Sequence, residues 1–249
     1  MTNKGTIFNK FISKVRSNLG LSFFSVALIF FLYSKYPFVT FYGENGDKDE
    51  YPVTPGTIVI DPGHGGVDPG KISARETLEK NINLAISLNL KDLLEKEGYK
   101  VVMTREADKE LCYGKYSKTE DLGNRVDIIN DSEPLCVISI HQNSYSDSSV
   151  HGAQVFYRGK NPGSQASSQS KLLAEAIQNE LNISPIGNNR APKSNSDYYL
   201  FTHTDVPIVI VECGFLSNPQ DEQMLMDDNF QLEMAKVILK ATQLYVKNG

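Results

Sequence analysis

Three apolar runs along the chain each stop at a side chain that can bind a metal or move a proton. They read IVIDPGHGG at residues 58–66, LCVISIH at residues 135–141 and VIVECGFLSN at residues 209–218. Continuous apolar runs of this length are typical of buried strands in a parallel sheet. Ligand crevices of open α/β sheets lie beyond the carboxyl ends of the strands, so we expect the three ends to share one site.

The rest of the hydrophobic pattern predicts helices between these runs. Apolar positions at helical spacing predict a helix from near Thr77 to Gly98, and three more over residues 121–130, 168–181 and 230–244. In the helix over residues 168–181, the side chains predicted to face inward are Leu172, Leu173, Ile177 and Leu181. Ser73 and Glu76 have the spacing of a capping box before the first helix.

Five strands complete the predicted fold, at residues 57–61, 99–104, 135–140, 152–157 and 207–212. The fourth alternates apolar and polar positions, so we expect it to be half exposed. The order βαβαββαβα predicts a single α/β domain, a mostly parallel, mixed and twisted sheet with helices on both faces. Residues 182–205 are predicted to be a long irregular loop, which in a compact domain is usually functional.

The N-terminal part differs from the rest in charge and hydropathy. Residues 1–43 carry five basic side chains and no acidic one, and residues 21–32 form an apolar run. This pattern predicts that residues 1–35 are an uncleaved membrane anchor or a cleaved signal peptide, with the anchor favoured. Residues 36–56 read as a linker and residues 57–249 as the catalytic domain, which we expect outside the cytoplasm.

Overall charge and cysteine content argue against two classes of protein, nucleic-acid-binding proteins and disulfide-stabilised ones. The net charge of −5 provides no basic field, so no nucleic-acid partner is expected. The chain has three cysteines, and an odd number in an exported protein does not indicate a disulfide framework. Cys213 stands next to the predicted site, but we interpret it as a packing residue.

Two of the four histidines follow buried runs directly and are the first metal candidates. A catalytic zinc ion takes three protein ligands and keeps a position for water. His64 lies in a glycine-rich loop that frees its imidazole, and His141 ends the middle run. His151 precedes Gly152 at a predicted strand start and His203 lies in a polar loop, and neither is expected to be a ligand.

The third ligand should be a carboxylate, and spacing alone leaves Glu76 and Glu79 open. Glu79 would sit in the first turn of a helix, where the helix dipole favours an ionised carboxylate. Asp61 is expected to accept a hydrogen bond from His64 and fix its tautomer. Asn143 is expected to orient the site or touch substrate.

Glu212 is a charged residue at the end of an apolar strand, where burial without a purpose would cost several kcal/mol. It could act as a general base on a zinc-activated water, or close the site as a fourth ligand. The alternative is an ion pair with Arg105 or Arg125.

Taken together, these motifs resemble the zinc-dependent N-acetylmuramoyl-L-alanine amidases of the amidase-3 family. The first and last apolar runs carry most of the likeness. Weaker support comes from LEKNINL at residues 78–84, MTR at residues 103–105 and SIHQN at residues 139–143. The likeness covers about residues 57–247. Within the family, the chain most resembles the germination-specific amidases of spore formers, the CwlD type. Gln142, often alanine in the family, and Cys213, often threonine or valine, are mild departures.

The resemblance implies one Zn²⁺ held by His64, Glu79 and His141, with Glu212 as the catalytic residue. Its substrate would be peptidoglycan, cut between N-acetylmuramic acid and L-alanine of the stem peptide, in spore cortex before muramic-δ-lactam forms. An activator protein is expected, and the enzyme would act at the outer face of the cytoplasmic membrane, in the wall or in the cortex space.

The substrate side is expected to be formed by loops around this site. Residues 143–150 and 182–205 would wall a groove for glycan and peptide, and Arg190 and Lys193 would meet stem-peptide carboxylates. Arg105 is expected to support the ligands from outside. Two alternatives stay open: a zinc exopeptidase acting on ordinary peptides, and a catalytically inactive wall-binding module.

Overall fold

The computed structural model describes residues 56–159, 163–184 and 189–248. The predicted anchor and all of the predicted linker except Gly56 lie outside the described residues. Inside those ranges, no helix combines the length and the apolar character needed to cross a bilayer.

Within the described residues, six strands form one mixed sheet in the order β2-β1-β3-β6-β4-β5. The strands are β1 Thr57–Pro62, β2 Lys100–Met103, β3 Cys136–Asn143, β4 Gln154–Arg158, β5 Lys193–Asn195 and β6 Ile208–Phe215. Neighbouring strands are parallel except for β4, which runs antiparallel to β6. The short strands β2 and β5 are the edges of the sheet, and the three apolar runs of the sequence are β1, β3 and β6, side by side in its middle.

Helices cover both faces of this sheet, as predicted. They are α1 Glu79–Lys96, α2 Lys118–Asp131, α3 Gln165–Ile183, α4 Tyr199–His203, α5 Pro219–Leu225 and α6 Asp228–Asn248. The larger core lies under α1, α3 and α6, and a smaller one lies under α2 and α4. Alternate residues of the central strands feed the two cores, because side chains alternate across a strand.

Several predicted boundaries are wrong. The strands β3 and β6 run three residues past their predicted ends, so His141 lies inside β3, and Glu212 is not the last residue of β6. Residues 182–205 are not a continuous loop, because they contain β5 and α4. Leu172, predicted to face inward, is 51% exposed, whereas Leu173 is fully buried. Both faces of β4 are covered, so it is not the half-exposed strand expected.

Candidate metal and catalytic site

The loop after β1 carries His64 in a strained backbone conformation. His64 has a φ of 61°, in the left-handed region, and Gly65 and Gly66 follow with φ of 136° and 58°. A non-glycine residue persists in this region where surrounding contacts hold it. Here the His64 carbonyl accepts a 2.7 Å hydrogen bond from Arg125 Nη2. Helix α2 therefore helps to fix the shape of the loop.

Two glycines make room for the side chains of the site. A Cβ at Gly63 would lie 2.1 Å from the nearest atom of the His141 ring. Gly70 has a φ of +66°, and a Cβ there would lie 2.6 Å from Glu79 Oε2 and 2.7 Å from His64 Cδ2. Any larger residue at these positions would displace the groups that form the site.

Glu79 is the first residue of α1, and its carboxylate is held on both oxygens. The Lys71 N–H donates to Oε2 at 2.7 Å, and the Gln142 N–H donates to Oε1 at 3.1 Å. Burial alone would raise the pKa of Glu79, but the imidazoles of His141 and His64 lower that pKa well below its usual range. The carboxylate is therefore ionised, as the helix N-terminus also favours.

Glu76, the alternative ligand, lies outside this cluster. It is exposed and has a φ of 64° in the turn before α1. The predicted capping box is wrong, because the Ser73 hydroxyl donates to Glu222 Oε1 at 2.5 Å and accepts from the Thr77 N–H. Ser73 thus shapes the turn ahead of the helix, and the helix begins only at Glu79.

His64, Glu79 and His141 converge on one point. Glu79 Oε1 lies 3.3 Å from His64 Nε2 and 3.0 Å from His141 Nδ1. The imidazole rings are 5.0 Å apart at an interplanar angle of 78°. One ligand atom from each of the three residues lies within 4.8 Å of the other two. Two imidazoles and a carboxylate are a donor set used by catalytic zinc sites, so this group can hold an ion.

Asp68 orients His64 from the side away from Glu79. Its Oδ2 lies 2.8 Å from His64 Nδ1, and the Tyr116 hydroxyl donates to the same oxygen at 3.3 Å. A carboxylate on the second ring nitrogen fixes the tautomer of a metal-binding histidine. Burial alone would lower the pKa of His64, but Glu79 and Asp68 raise it to about 9. The site thus favours positive charge at this position.

The predicted hydrogen bond between Asp61 and His64 is wrong. Asp61 is buried beneath the loop and accepts hydrogen bonds from Arg125 Nη1 at 2.8 Å and from the hydroxyls of Ser139 and Thr104, each at 2.7 Å. Burial alone would raise the pKa of Asp61, but Arg125 and the two hydroxyls lower it to about 2. Asp61 therefore anchors Arg125, which in turn holds the His64 carbonyl.

Arg105 supports the same loop from the other side. Its guanidinium is almost fully buried and donates to the carbonyls of Pro62 and Gly63 at 3.0 and 2.9 Å, and to that of Lys80 at 2.9 Å. It therefore ties the end of β1 to the first turn of α1, the two segments that carry His64 and Glu79.

Glu212 lies beside the cluster, since its Cα pairs with that of His141 across β3 and β6. Its side chain is buried, and Oε2 makes no hydrogen bond to any described residue. The proposed ion pairs are absent: Arg105 binds carbonyls, and Arg125 binds Asp61 and Asp121. Burial raises the pKa of Glu212 to about 7. A carboxyl group of this kind can exchange a proton near neutral pH.

A cavity of about 320 Å³ opens over these groups. His64, His141 and Glu212 contribute to its lining, together with Tyr116 and Leu122. Residues 197–200, which belong to the region predicted as a wall at 182–205, also line it. Residues 143–150, the other predicted wall, are absent from the lining. Two exposed charges also line the cavity, Lys118 and Asp197.

The predicted substrate residues lie outside this cavity. The Arg190 guanidinium donates to the His151 carbonyl and Gln154 Oε1 and lies 5.0 Å from the centre of the Phe215 ring. We therefore correct its expected role: its donors are used within the fold.

Asn143 and Lys193 also contribute nothing to the cavity lining. Asn143 Oδ1 accepts a hydrogen bond from the Ser144 N–H, where β3 ends. Lys193 is exposed at the start of β5.

The other histidines and the cysteines take no part in the cluster. His151 is exposed, and His203 stacks on Tyr199 with ring centroids 3.8 Å apart. Cys213 is buried in the larger core, which confirms its interpretation as a packing residue. None of the three cysteines, all of them in the described part, forms a disulfide.

A comparison with protein families decides which class of protein carries this site. The family described as N-acetylmuramoyl-L-alanine amidase, Amidase_3, matches residues 58–243. The chain belongs to this amidase family. The match includes all three residues of the cluster and Glu212, and the family is typically metal-dependent.

Similar proteins agree with this assignment. The chain is 35% identical over 200 residues to the germination-specific N-acetylmuramoyl-L-alanine amidase of Bacillus subtilis (strain 168), covering 78% of this chain and 81% of that one. It is 31% identical to the probable cell wall amidase LytH of Staphylococcus aureus, over 80% of this chain, and spans 61% of that longer protein.

A solved structure shares the fold as well. The CwlD amidase from Clostridioides difficile, determined in complex with the GerS lipoprotein, aligns with a TM-score of 0.73 and 38% identity. The alignment covers 78% of this chain and 100% of that one. The fold of this amidase is therefore the expected single α/β domain.

Sequence reasoning missed several residues at this amidase site. Asp68 carried a usable signal, because it stands four residues after His64 in the same glycine-rich loop. Tyr116 and Tyr198 carried none, since each is brought to the cavity by tertiary packing: Tyr198 packs edge-on against Phe156 and Phe201.

Proposed function

We propose that this amidase is zinc-dependent and cuts the amide bond between the lactyl carbonyl of N-acetylmuramic acid and the nitrogen of L-alanine in peptidoglycan. Family membership supports the reaction class. One observation carries the assignment of the site: Glu212 lines the same cavity as His64 and His141, and one of its buried carboxyl oxygens has no hydrogen-bond partner among the described residues.

The residues present fit a zinc ion. His64, Glu79 and His141 would hold it, and Asp68 would orient His64. When bound, zinc would supply Lewis-acid chemistry, polarising the scissile carbonyl and acidifying water. Metal analysis tests the ligand set: the wild-type chain should retain one equivalent of zinc, and His64→Ala should lose it while keeping a cooperative thermal transition. Full zinc content in His64→Ala would contradict the assignment.

Glu212 would move the proton in this reaction. Its buried carboxylate would take a proton from the attacking water and pass it to the leaving L-alanine nitrogen. The absence of an ion pair within the described residues leaves the carboxylate free for both steps. Asn143 would act only indirectly, through the end of β3, and Lys193 would contact only a substrate that extends beyond the cavity.

Digestion of purified peptidoglycan tests the reaction itself. The full-length chain should release stem peptides with new L-alanine N-termini and leave free peptides of the same sequence intact. Cleavage of free peptides would indicate a zinc exopeptidase instead. Binding to peptidoglycan without any cleavage, with or without a partner, would indicate an inactive wall-binding module.

We also propose a role in spore cortex, where stem peptides are removed before muramic-δ-lactam forms. The likeness to the germination-specific amidase and to CwlD supports this role. Expression of this chain in a spore former that lacks its germination-specific amidase should restore muramic-δ-lactam, and Glu212→Gln should not. Spores without muramic-δ-lactam would refute the cortex role and leave the amidase chemistry standing.

A protein partner and export belong to the same proposal. The CwlD structure contains the GerS lipoprotein, so we propose that this amidase also has an activator at the outer face of the membrane or in the cortex space. Residues 1–35 would anchor the chain or direct its export. Fractionation of cells and N-terminal sequencing of the mature protein would separate an anchor from a cleaved signal.

A further inference from the structure

One fully buried polar residue, Asn83, contacts all three segments that carry the cluster. It lies on α1, one turn after Glu79, and its Nδ2 donates to Glu79 Oε1 at 3.3 Å. The same Nδ2 donates to the carbonyl of Gly63, the residue before His64, at 3.1 Å. Its Oδ1 accepts a 3.1 Å hydrogen bond from Nε2 of Gln142, on the strand of His141.

The chemistry at this position suits asparagine and no other side chain. Two N–H donors and one carbonyl acceptor on a short stem are all used by the three contacts. Aspartate would replace the donors with a negative charge beside Glu79 and the Gly63 carbonyl. Leucine would leave buried polar groups without partners, and glutamine is one methylene too long for the same space.

Gln142 completes the arrangement from β3. It is buried, its N–H donates to Glu79 Oε1 at 3.1 Å, and its side chain holds the amide of Asn83. The side chain of Gln142 therefore reaches Glu79 only through Asn83. The two amides form a buried bridge between β3 and α1, directly behind the cluster.

We propose that Asn83 is a positioning residue that keeps His64, Glu79 and His141 in register for the metal, with Gln142 acting through it. This inference rests on the proposed zinc site. Groups that orient metal ligands in this way typically change metal affinity by about 10- to 100-fold when removed.

The test measures zinc affinity directly, by competition with a chromophoric chelator on the full-length chain in detergent. Asn83→Ala should weaken zinc binding about 10- to 100-fold. The visible absorption of the Co²⁺-loaded chain should change as well, because the ligand geometry relaxes. Unchanged zinc affinity in Asn83→Ala would overturn the proposal.

A double-mutant cycle separates action through Asn83 from independent effects. Gln142→Ala should weaken zinc binding less than Asn83→Ala, and the double variant should bind zinc no more weakly than Asn83→Ala alone. Additive losses would show that the Gln142 side chain does not act through Asn83. If Asn83→Ala does not fold, Gln142→Ala carries the test, and wild-type affinity in that variant would overturn the proposal.

Leu90→Ala is the matched control for stability. Leu90 is fully buried on the same helix, in the larger core and away from the cluster, so its truncation should lower the melting temperature without changing zinc affinity. An equal loss of zinc affinity in Leu90→Ala would show that Asn83 acts only through stability. A wild-type chain that binds no zinc would overturn the proposed function and this inference together.

Discussion

At the scale of single residues, the buried charged side chains that support the site differ from Glu212, which we propose takes part in the reaction. Asp61, Arg105 and Arg125 are buried, and their polar atoms make hydrogen bonds beneath the loop that carries His64. Glu212 is buried too, but one of its oxygens has no partner among the described residues. A buried carboxyl group in this state destabilises the fold, so its presence indicates a functional demand.

Glu212→Gln should therefore remove activity and leave the metal site intact. The amide keeps the shape of the side chain but cannot accept a proton, so we expect a loss of about 10²- to 10⁴-fold in peptidoglycan hydrolysis. The rate of L-alanine N-terminus release and the zinc content, measured on one preparation, check this expectation.

Glu180→Gln is the control, because Glu180 pairs with Lys240 between α3 and α6 and neither residue contributes to the cavity lining. It should retain wild-type activity. Wild-type activity in Glu212→Gln would refute the catalytic role of that residue.

Lys118 is the cation that we expect to meet the stem peptide, in place of Arg190. It is exposed, lines the cavity and forms no ion pair within the described residues. Lys118→Ala should raise KM about 2- to 5-fold for stem peptides with free carboxylates, the size of an exposed charge contact, and leave kcat unchanged. Substrates with amidated carboxylates should show no such change; an equal rise for both would assign the effect to packing.

At the scale of elements, helix α2 uses Arg125 to hold the loop after β1 that carries His64. Breaking a buried ion pair from one side leaves the other charge uncompensated, so Arg125→Met should lower the free energy of unfolding by about 3–5 kcal/mol. Urea unfolding measures this loss. The double variant Asp61→Asn with Arg125→Met should lose less than the sum of the single variants, and strict additivity would contradict the pairing.

The sequence predicts the elements whose pattern is set locally and fails where tertiary contacts decide. The middle strands were recognisable because β1, β3 and β6 are apolar on both faces. The strand β5, with the letters KSN, has no apolar residue and exists because β4 pairs with it. Helix α1 begins at Glu79 and not near Thr77 as predicted, because Ser73 donates a hydrogen bond to Glu222, which is distant in the sequence.

The site shows the same division. His64 and His141 stand out because each follows a buried apolar run, and Glu79 stands out by its place in a first helical turn. The supporting contact of Asn83 could not be predicted, because a polar side chain on a helix is usually solvated. Only the folded chain shows that Asn83 is turned toward the cluster.

At the scale of the whole molecule, the free energy of unfolding should depend on pH in the acid range because of Asp61. Its pKa falls from 3.8 to about 2 on folding, so its contribution is complete above pH 3.8 and disappears as the pH falls toward 2. The shift corresponds to about 2 kcal/mol. Unfolding free energies of the wild-type chain and Asp61→Asn should therefore converge across this range. Parallel curves would show that Asp61 is not the group that titrates.

The ends of the sheet also govern how copies of this chain behave toward one another. Its outer strands, Lys100–Met103 and Lys193–Asn195, contain four and three residues, and both begin with lysine. Short, positively charged edges offer few open backbone groups to a neighbouring sheet and repel an identical edge. The domain should therefore resist edge-to-edge aggregation at high protein concentration.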